Sequence, residues 1–108
     1  GESRDREIGM ITRQLKALAK EIDAPVLCLS QLSRVNEAAK DKRPTLNALR
    51  DSGNIEQDAD LILLLHRESD QPEDATLIIG KNRHGATRDI PMIWKHQWTR
   101  YLETKLAK

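Results

Sequence analysis

The sequence predicts an α/β fold: the late half of a mixed sheet with flanking helices, ending in β strands. Three features predict it. An amphipathic helical pattern runs from Glu7 to Ile22, the wholly apolar run Val26, Leu27, Cys28 and Leu29 follows almost at once, and the chain beyond residue 60 becomes a series of short strand-like segments. A fully apolar strand directly after an amphipathic helix is the mark of a sheet covered on both faces.

In the first element Ile8, Ile11, Leu15, Leu18 and Ile22 recur at steps of three and four, with Arg6, Arg13, Lys16, Lys20 and Glu21 mostly between them, so one face of the helix is expected to be buried. Asp23, Ala24 and Pro25 stop it, because proline cannot continue a helix and biases the residue before it toward extended backbone. Val26 to Leu29 then reads as a buried strand. The polar Ser30 and Gln31 follow at its carboxyl end, where open α/β sheets usually place their ligands.

Leu32 to Arg43 is polar and charged and reads as a mobile surface loop. Pro44 to Arg50 has room for a short helix, ended by Gly53, and Asn54 with Gln57 is compatible with the cap of another short turn. Leu61 to Leu65 is a second all-apolar strand. Ala75 to Gly80 and Asp89 to Trp94 are two more, joined by a turn at His84, Gly85 and Ala86, and Trp98 to Leu102 reads as the last. No internal repeat or low-complexity segment interrupts this order.

A length of 108 residues fits one small domain or part of a larger one. Hydrophobic residues make up 38% and aromatic residues 3%, with no Phe, so the core falls to aliphatic side chains around Trp94, Trp98 and Tyr101. Eighteen basic against seventeen acidic residues give a net charge of +1, so any site for an anionic partner must be local rather than spread over the surface. The single Cys28 cannot close an intrachain disulfide and reads as a small buried hydrophobe of a reduced interior. No apolar stretch is long enough to span a bilayer, and the expected location is the cytoplasm.

Three sites carry candidate chemistry. Gln31 can donate to a phosphate oxygen or orient a water without a change of charge, although a bond to a neighbouring loop would use the same residue. In the run from Leu49 to Asp58, Gly53 between small polar residues lets backbone N–H groups face outward at the start of a helical turn, and Arg50 adds a fork of donors suited to phosphate. An ordinary capped loop fits the same residues. Lys81 and Arg83, alternating at the end of a strand, are expected to point to one side and to converge on one anionic target, although strand ends often carry solvated charges.

Absences are equally informative. There is no G-x-x-x-x-G-K-[ST] phosphate loop: Asn82 follows Gly80 and Lys81, and no glycine stands five positions before Gly80. His66, His84 and His96 are scattered, and no metal-ligand spacing or hydrolase motif emerges.

Taken in order, Arg13 to Glu21, Pro25 to Arg34 with its Ser-Gln-Leu, Arg43 to Leu46, the Ser-Gly-x-Ile-Glu-Gln-Asp-Ala-Asp run from Ser52 to Asp60, Leu77 to Gly85 and Thr99 to Tyr101 resemble the DnaB-type replicative hexameric DNA helicases. The likeness covers nearly the whole chain and corresponds to the C-terminal part of the RecA-like motor domain. It implies a RecA-like α/β motor that assembles as a hexameric ring, hydrolyses ATP with Mg²⁺ at subunit interfaces, translocates on single-stranded DNA and unwinds duplex at the fork.

By the same resemblance Gln31 is the sensor glutamine between nucleotide and DNA. Arg50, Asp51 and Gly53 hold single-stranded DNA phosphates, the latter two chiefly through backbone amides. Lys81 and Arg83 enter the neighbouring subunit's nucleotide site, Arg83 as the arginine finger. The sequence departs from the family at Asn82, His84, Ala86 and Arg88 and is short from Gln71 to Asp74. The family's phosphate loop, catalytic glutamate and acidic metal-binding residue are expected upstream of Gly1. Residues 1–108 are therefore read as a C-terminal fragment that binds neither ATP nor Mg²⁺ alone. Primase and a helicase loader are expected partners of the parent protein, and a membrane is not. A catalytically silent RecA-like module for DNA binding or assembly is the alternative, and the full open reading frame would separate the two.

Overall fold

The computed structural model of the protein describes residues 2–30, 43–46, 49, 53–68, 70–71 and 73–104. These fall into two compact units, Gly1–Asp60 and Leu61–Lys108.

The first unit contains α1 (Glu2–Ile22) and α2 (Gly53–Asp58). α1 begins earlier than its apolar period predicts, since Glu2, Arg4 and Arg6 are good helix formers. Its end is a chain reversal: Asp23 takes a left-handed backbone with φ 52°, and the Ala24 N–H reaches back to the Ala19 carbonyl at 3.1 Å. That six-to-one bond satisfies a carbonyl the helix end would otherwise leave open, and aspartate tolerates the backbone better than most residues with a Cβ.

α1 presents two faces. Gly9 is buried and Thr12, Lys16 and Ala19 are half-buried, a stripe of small and polar residues, and α1 packs with α2. The apolar stripe, about 100° around the helix by its geometry, has Ile8 and Leu15 half-buried but Ile11, Leu18 and Ile22 at 52%, 42% and 53% exposure. The buried apolar face expected of this helix is therefore only partly covered.

Residues 26–29 correct a second expectation. They join no sheet among the described residues, and Leu27 and Leu29 are 85% and 89% exposed. Cys28 is exposed as well, so it is no core residue. The reason is pairing: an apolar segment becomes a buried strand only with hydrogen-bonded neighbours at its edges and cover on its faces, and the described residues supply neither.

Of the loop expected from Leu32 to Arg43, residues 32–42 lie outside the described residues. Pro44 and Leu49 are buried, and Leu46 and Leu49 adopt 3-10 geometry; residues 47, 48 and 50 of the short helix expected there lie outside the described residues. α2 starts at Gly53, so Asn54 lies within its first turn rather than capping it.

The second unit is a four-stranded antiparallel sheet in the order β1 (Leu61–Arg67), β2 (Asp74–Asn82), β3 (Arg88–Lys95) and β4 (Arg100–Glu103). Each strand pairs with the next in sequence, as short turns between them require. The four strands predicted beyond residue 60 all form, and β4 starts two residues late because Trp98 lies in the preceding turn, 61% exposed. That turn places Thr99 at φ 49°.

In β1, Ile62 and Leu64 are buried while Leu61, Leu63 and Leu65 are 51%, 44% and 45% exposed. An all-apolar strand is thus buried on one face only. With Ala75, Ile62 and Leu64 form the buried core of this unit, and Leu49 is buried in the first.

The ladder between β1 and β2 contains one irregularity. Leu64 faces Ile78 and Leu63 faces Ile79, but Ile62 faces Lys81, so Gly80 is an extra residue on β2. Bulges of this kind re-phase side chains, and glycine inside a strand often marks one.

Candidate functional site

In the first unit, α2 is tied to α1 by side chains that meet its carboxyl end. The Thr12 hydroxyl donates to Asp58 Oδ2 at 2.6 Å, with the Gly9 carbonyl at 3.0 Å as a second acceptor. A hydroxyl has one proton, and the short approach to a charged carboxylate takes it. Lys16 Nζ donates to the Asp58 carbonyl at 3.3 Å and pairs with Asp60 Oδ1 at 3.4 Å. The Ala59 N–H continues the helical pattern to the Ile55 carbonyl at 3.0 Å. Three residues of the Ser-Gly-x-Ile-Glu-Gln-Asp-Ala-Asp run, Asp58, Ala59 and Asp60, thus hold the end of α2, while Gly53 opens it. Gln31, Arg50 and Asp51 lie outside the described residues.

An open depression of 390 Å³ beside this contact is lined by Lys16, Lys20, Asp23, Pro25 and Asp60. Two ammonium groups balance two carboxylates there, so it has no electrostatic preference for an anion.

The second unit places Lys81 and Arg83 at the β2–β3 hairpin. Lys81 is the second-last residue of β2 and half-buried; Arg83 is exposed in the turn that follows. Paired residues share a sheet face, so the extra Gly80 sets Lys81 on the face of Ile62, Leu64 and Ile78 rather than that of Ile79. Strand alternation ends at Asn82, so the orientation of Arg83 follows from the turn and not from the pleat that the sequence pattern suggests.

That turn is built around Asn82. Its carbonyl accepts from the Gly85 N–H at 3.3 Å, its Oδ1 accepts from the His84 N–H at 3.3 Å, and its Nδ2 donates to the Ala86 carbonyl at 3.4 Å. Asparagine side chains stabilise turns in this way by standing in for a backbone acceptor. A Cβ added to Gly85 would lie 2.8 Å from Asn82 Nδ2.

One cluster is not foreshadowed by the sequence. The Arg67 guanidinium lies 4.9 Å from the centroid of the Trp94 ring, and Trp94 and Tyr101 have centroids 4.7 Å apart at 49°. Trp94 and Tyr101 were legible as core aromatics, but their meeting with Arg67 depends on the β1-β2-β3-β4 order, which brings Arg67 opposite Ala75, Ala75 opposite Met92 and Trp94 opposite Tyr101. Ala75 and Lys81 stand six positions apart on β2, about 20 Å of strand, so this cluster and the cationic hairpin occupy opposite ends of the sheet.

Among the described residues no group of three His, Cys, Asp or Glu side chains is placed to hold a metal ion, and no helix is long and apolar enough to cross a membrane.

Comparison with known proteins gives these features a context. The family profile of the DnaB-like helicase C-terminal domain matches residues 1–103. A protein named probable plasmid replicative DNA helicase from Chlamydia psittaci is 57% identical over 79% of this chain and 20% of its own length. The replicative DNA helicase DnaB of Leifsonia xyli subsp. xyli is 45% identical over 94% of this chain and 24% of its own. The chain therefore spans about a fifth to a quarter of these curated relatives.

Among solved structures, one ATPase domain superposes with a TM-score of 0.83 at 38% identity, over 91% of this chain and 37% of that one. A DnaB-like replicative helicase studied for its interactions with primase gives 0.83 and 38% over 91% of this chain and 25% of its own. The α/β fold is that of RecA-like ATPase domains, as the sequence predicts.

Proposed function

The chain belongs to the DnaB-like helicase C-terminal domain family, and on that premise we propose that it is the C-terminal part of the motor domain of an ATP-dependent replicative helicase. In this reading the parent protein encircles single-stranded DNA as a hexameric ring in the cytoplasm, translocates on it and unwinds duplex at the fork. ATP is its substrate, primase and a helicase loader are its partners, and no membrane is involved.

The observation that carries the reading is the hairpin of Lys81 and Arg83, two cations at one end of the sheet in a chain that the family profile matches almost throughout. Phosphoryl transfer spreads charge over the equatorial oxygens of the transferred group, and a preorganised guanidinium meets that charge with several donors at no cost of ionisation. Lys81 supplies a compact point charge and Arg83 the fork. We assign both to the nucleotide of the neighbouring subunit. Gln31 relays between nucleotide and DNA, and Arg50, Asp51 and the amide of Gly53 hold DNA phosphates. In this reading Mg²⁺ is held by residues other than these.

The test is strand displacement by the purified full-length protein on a forked substrate, with ATP hydrolysis followed with and without single-stranded DNA. ATP-dependent unwinding and DNA-stimulated hydrolysis are expected. A protein that does neither, in rings shown to be assembled, would overturn the reading.

A further inference from the structure

We propose that Asn82 is a positioning residue for Arg83, held in that role by the absence of a side chain at Gly85. The inference rests on the reading of Arg83 given above and adds the device that aims it. Asn82 bonds to residues 84, 85 and 86 through its side chain and carbonyl, passing over Arg83. The backbone is thereby fixed on the far side of Arg83 by three hydrogen bonds and on the near side by the β2 ladder, where Asn82 faces Leu61. Arg83 occupies the corner of the turn, exposed, on a backbone already ordered before any partner arrives. A group that acts on a transition state gains most when its position is set in advance.

Gly85 completes the lock for a steric reason alone. It is not in the left-handed region, so alanine there meets no backbone strain. What alanine would meet is Asn82 Nδ2 at 2.8 Å, with the next atom, Asn82 Cγ, at 3.3 Å. The nearest atoms all belong to the Asn82 side chain, whose amide end can swing away. Gly85→Ala should therefore break the latch and leave the hairpin folded.

The experiment uses the full-length helicase, comparing kcat and KM for ATP in assembled rings. Arg83→Ala sets the scale of the loss. Asn82→Ala and Gly85→Ala should each lower kcat roughly ten- to hundredfold, the scale of misplacing a reacting group by about an ångström, with KM changed less than about twofold. Asn82→Ser retains an oxygen for the His84 N–H, a weaker form of the same turn, and should fall between wild type and Asn82→Ala. The double variant Asn82→Ala with Gly85→Ala should be no worse than Asn82→Ala alone, because the collision partner is gone. Neither substitution should add to the loss in an Arg83→Ala background.

If Arg83→Ala hydrolyses ATP like wild type, the finger reading fails and the inference with it. If Arg83→Ala is defective while the turn variants are normal, the positioning inference alone fails. Additive losses in the double variant, or further loss in the Arg83→Ala background, would show that the turn acts on the fold and not through Arg83, and would equally overturn it.

Discussion

Thr12 of α1 donates its hydroxyl to the Asp58 carboxylate at the end of α2 over 2.6 Å, across 46 residues of sequence. α2 has six residues, too few to be stable alone, so its geometry depends on such tertiary bonds. Thr12→Val keeps the shape and removes the donor. It should raise hydrogen exchange at the Gln57 to Ala59 amides of the intact protein about tenfold, matching a loss of roughly 1.4 kcal/mol for a bond to a charged group. Thr12→Ser should exchange like wild type. Equal protection in the valine variant would mean that this bond does not hold α2.

The DNA-facing role assigned to Arg50 predicts a change in salt dependence. Arg50→Ala in the full-length protein should weaken single-stranded DNA binding and lower the slope of log affinity against log salt by about 0.7, one counterion on a single strand. Sequence preference should not change. Titrations at several salt concentrations check this, and an unchanged slope returns the loop to a structural role.

Much of this architecture was legible beforehand, and the failures share a cause. The strands around Leu63, Ile78, Ile93 and Tyr101 were legible because their apolar runs are bounded by turn residues and pair locally, hairpin to hairpin. Residues 26–29 have the same composition, yet Leu27 and Leu29 stand exposed, since composition reports a readiness to be buried and not the presence of a partner. The two cations were legible as residue types at strand spacing. Their directions were not, because Gly80 and Asn82 act through an extra residue and a side-chain bond that no period of two encodes.

Action of Arg83 on a neighbour predicts complementation. Rings of Arg83→Ala subunits should bind nucleotide and hydrolyse it on the order of a thousandfold more slowly. Mixing them with subunits mutated in the phosphate-loop lysine, proposed to lie outside these residues, should restore part of the activity. An interface can then pair an intact site from one subunit with an intact finger from the other. No recovery in rings shown to be mixed would place Lys81 and Arg83 within their own subunit.

The 108-residue chain by itself should show no ATP hydrolysis above background, since its sequence has no loop to cradle the phosphates. A coupled assay on highly purified material checks it. Turnover that disappears with Arg83→Ala would contradict the division of the site between subunits.

Thr99, β-branched and at φ 49°, sits where glycine or asparagine is favoured. Thr99→Gly or Thr99→Asn should stabilise the protein by about 1 kcal/mol, the cost of a left-handed backbone for a residue with a Cβ. Denaturant midpoints at constant slope measure this, and an unchanged or lower midpoint would mean that local contacts already offset the strain.

The extra residue at Gly80 separates two demands that a regular strand would bind together. In an uninterrupted ladder the packing of Leu77, Ile78 and Ile79 would dictate the face on which Lys81 emerges, and natural variation could not re-aim the cation without turning the hydrophobic residues inside out. With the bulge in place the strand behaves like a shaft with a clutch. Inserting one residue into β1 between Ile62 and Leu63, opposite Gly80, would restore the regular ladder and turn Lys81 to the face of Ile79 while every residue from Leu63 to Arg67 kept its partner on β2. A lineage could therefore change where this cation points by gaining a single codon in β1, with the pairing of Leu63 to Arg67 unaltered.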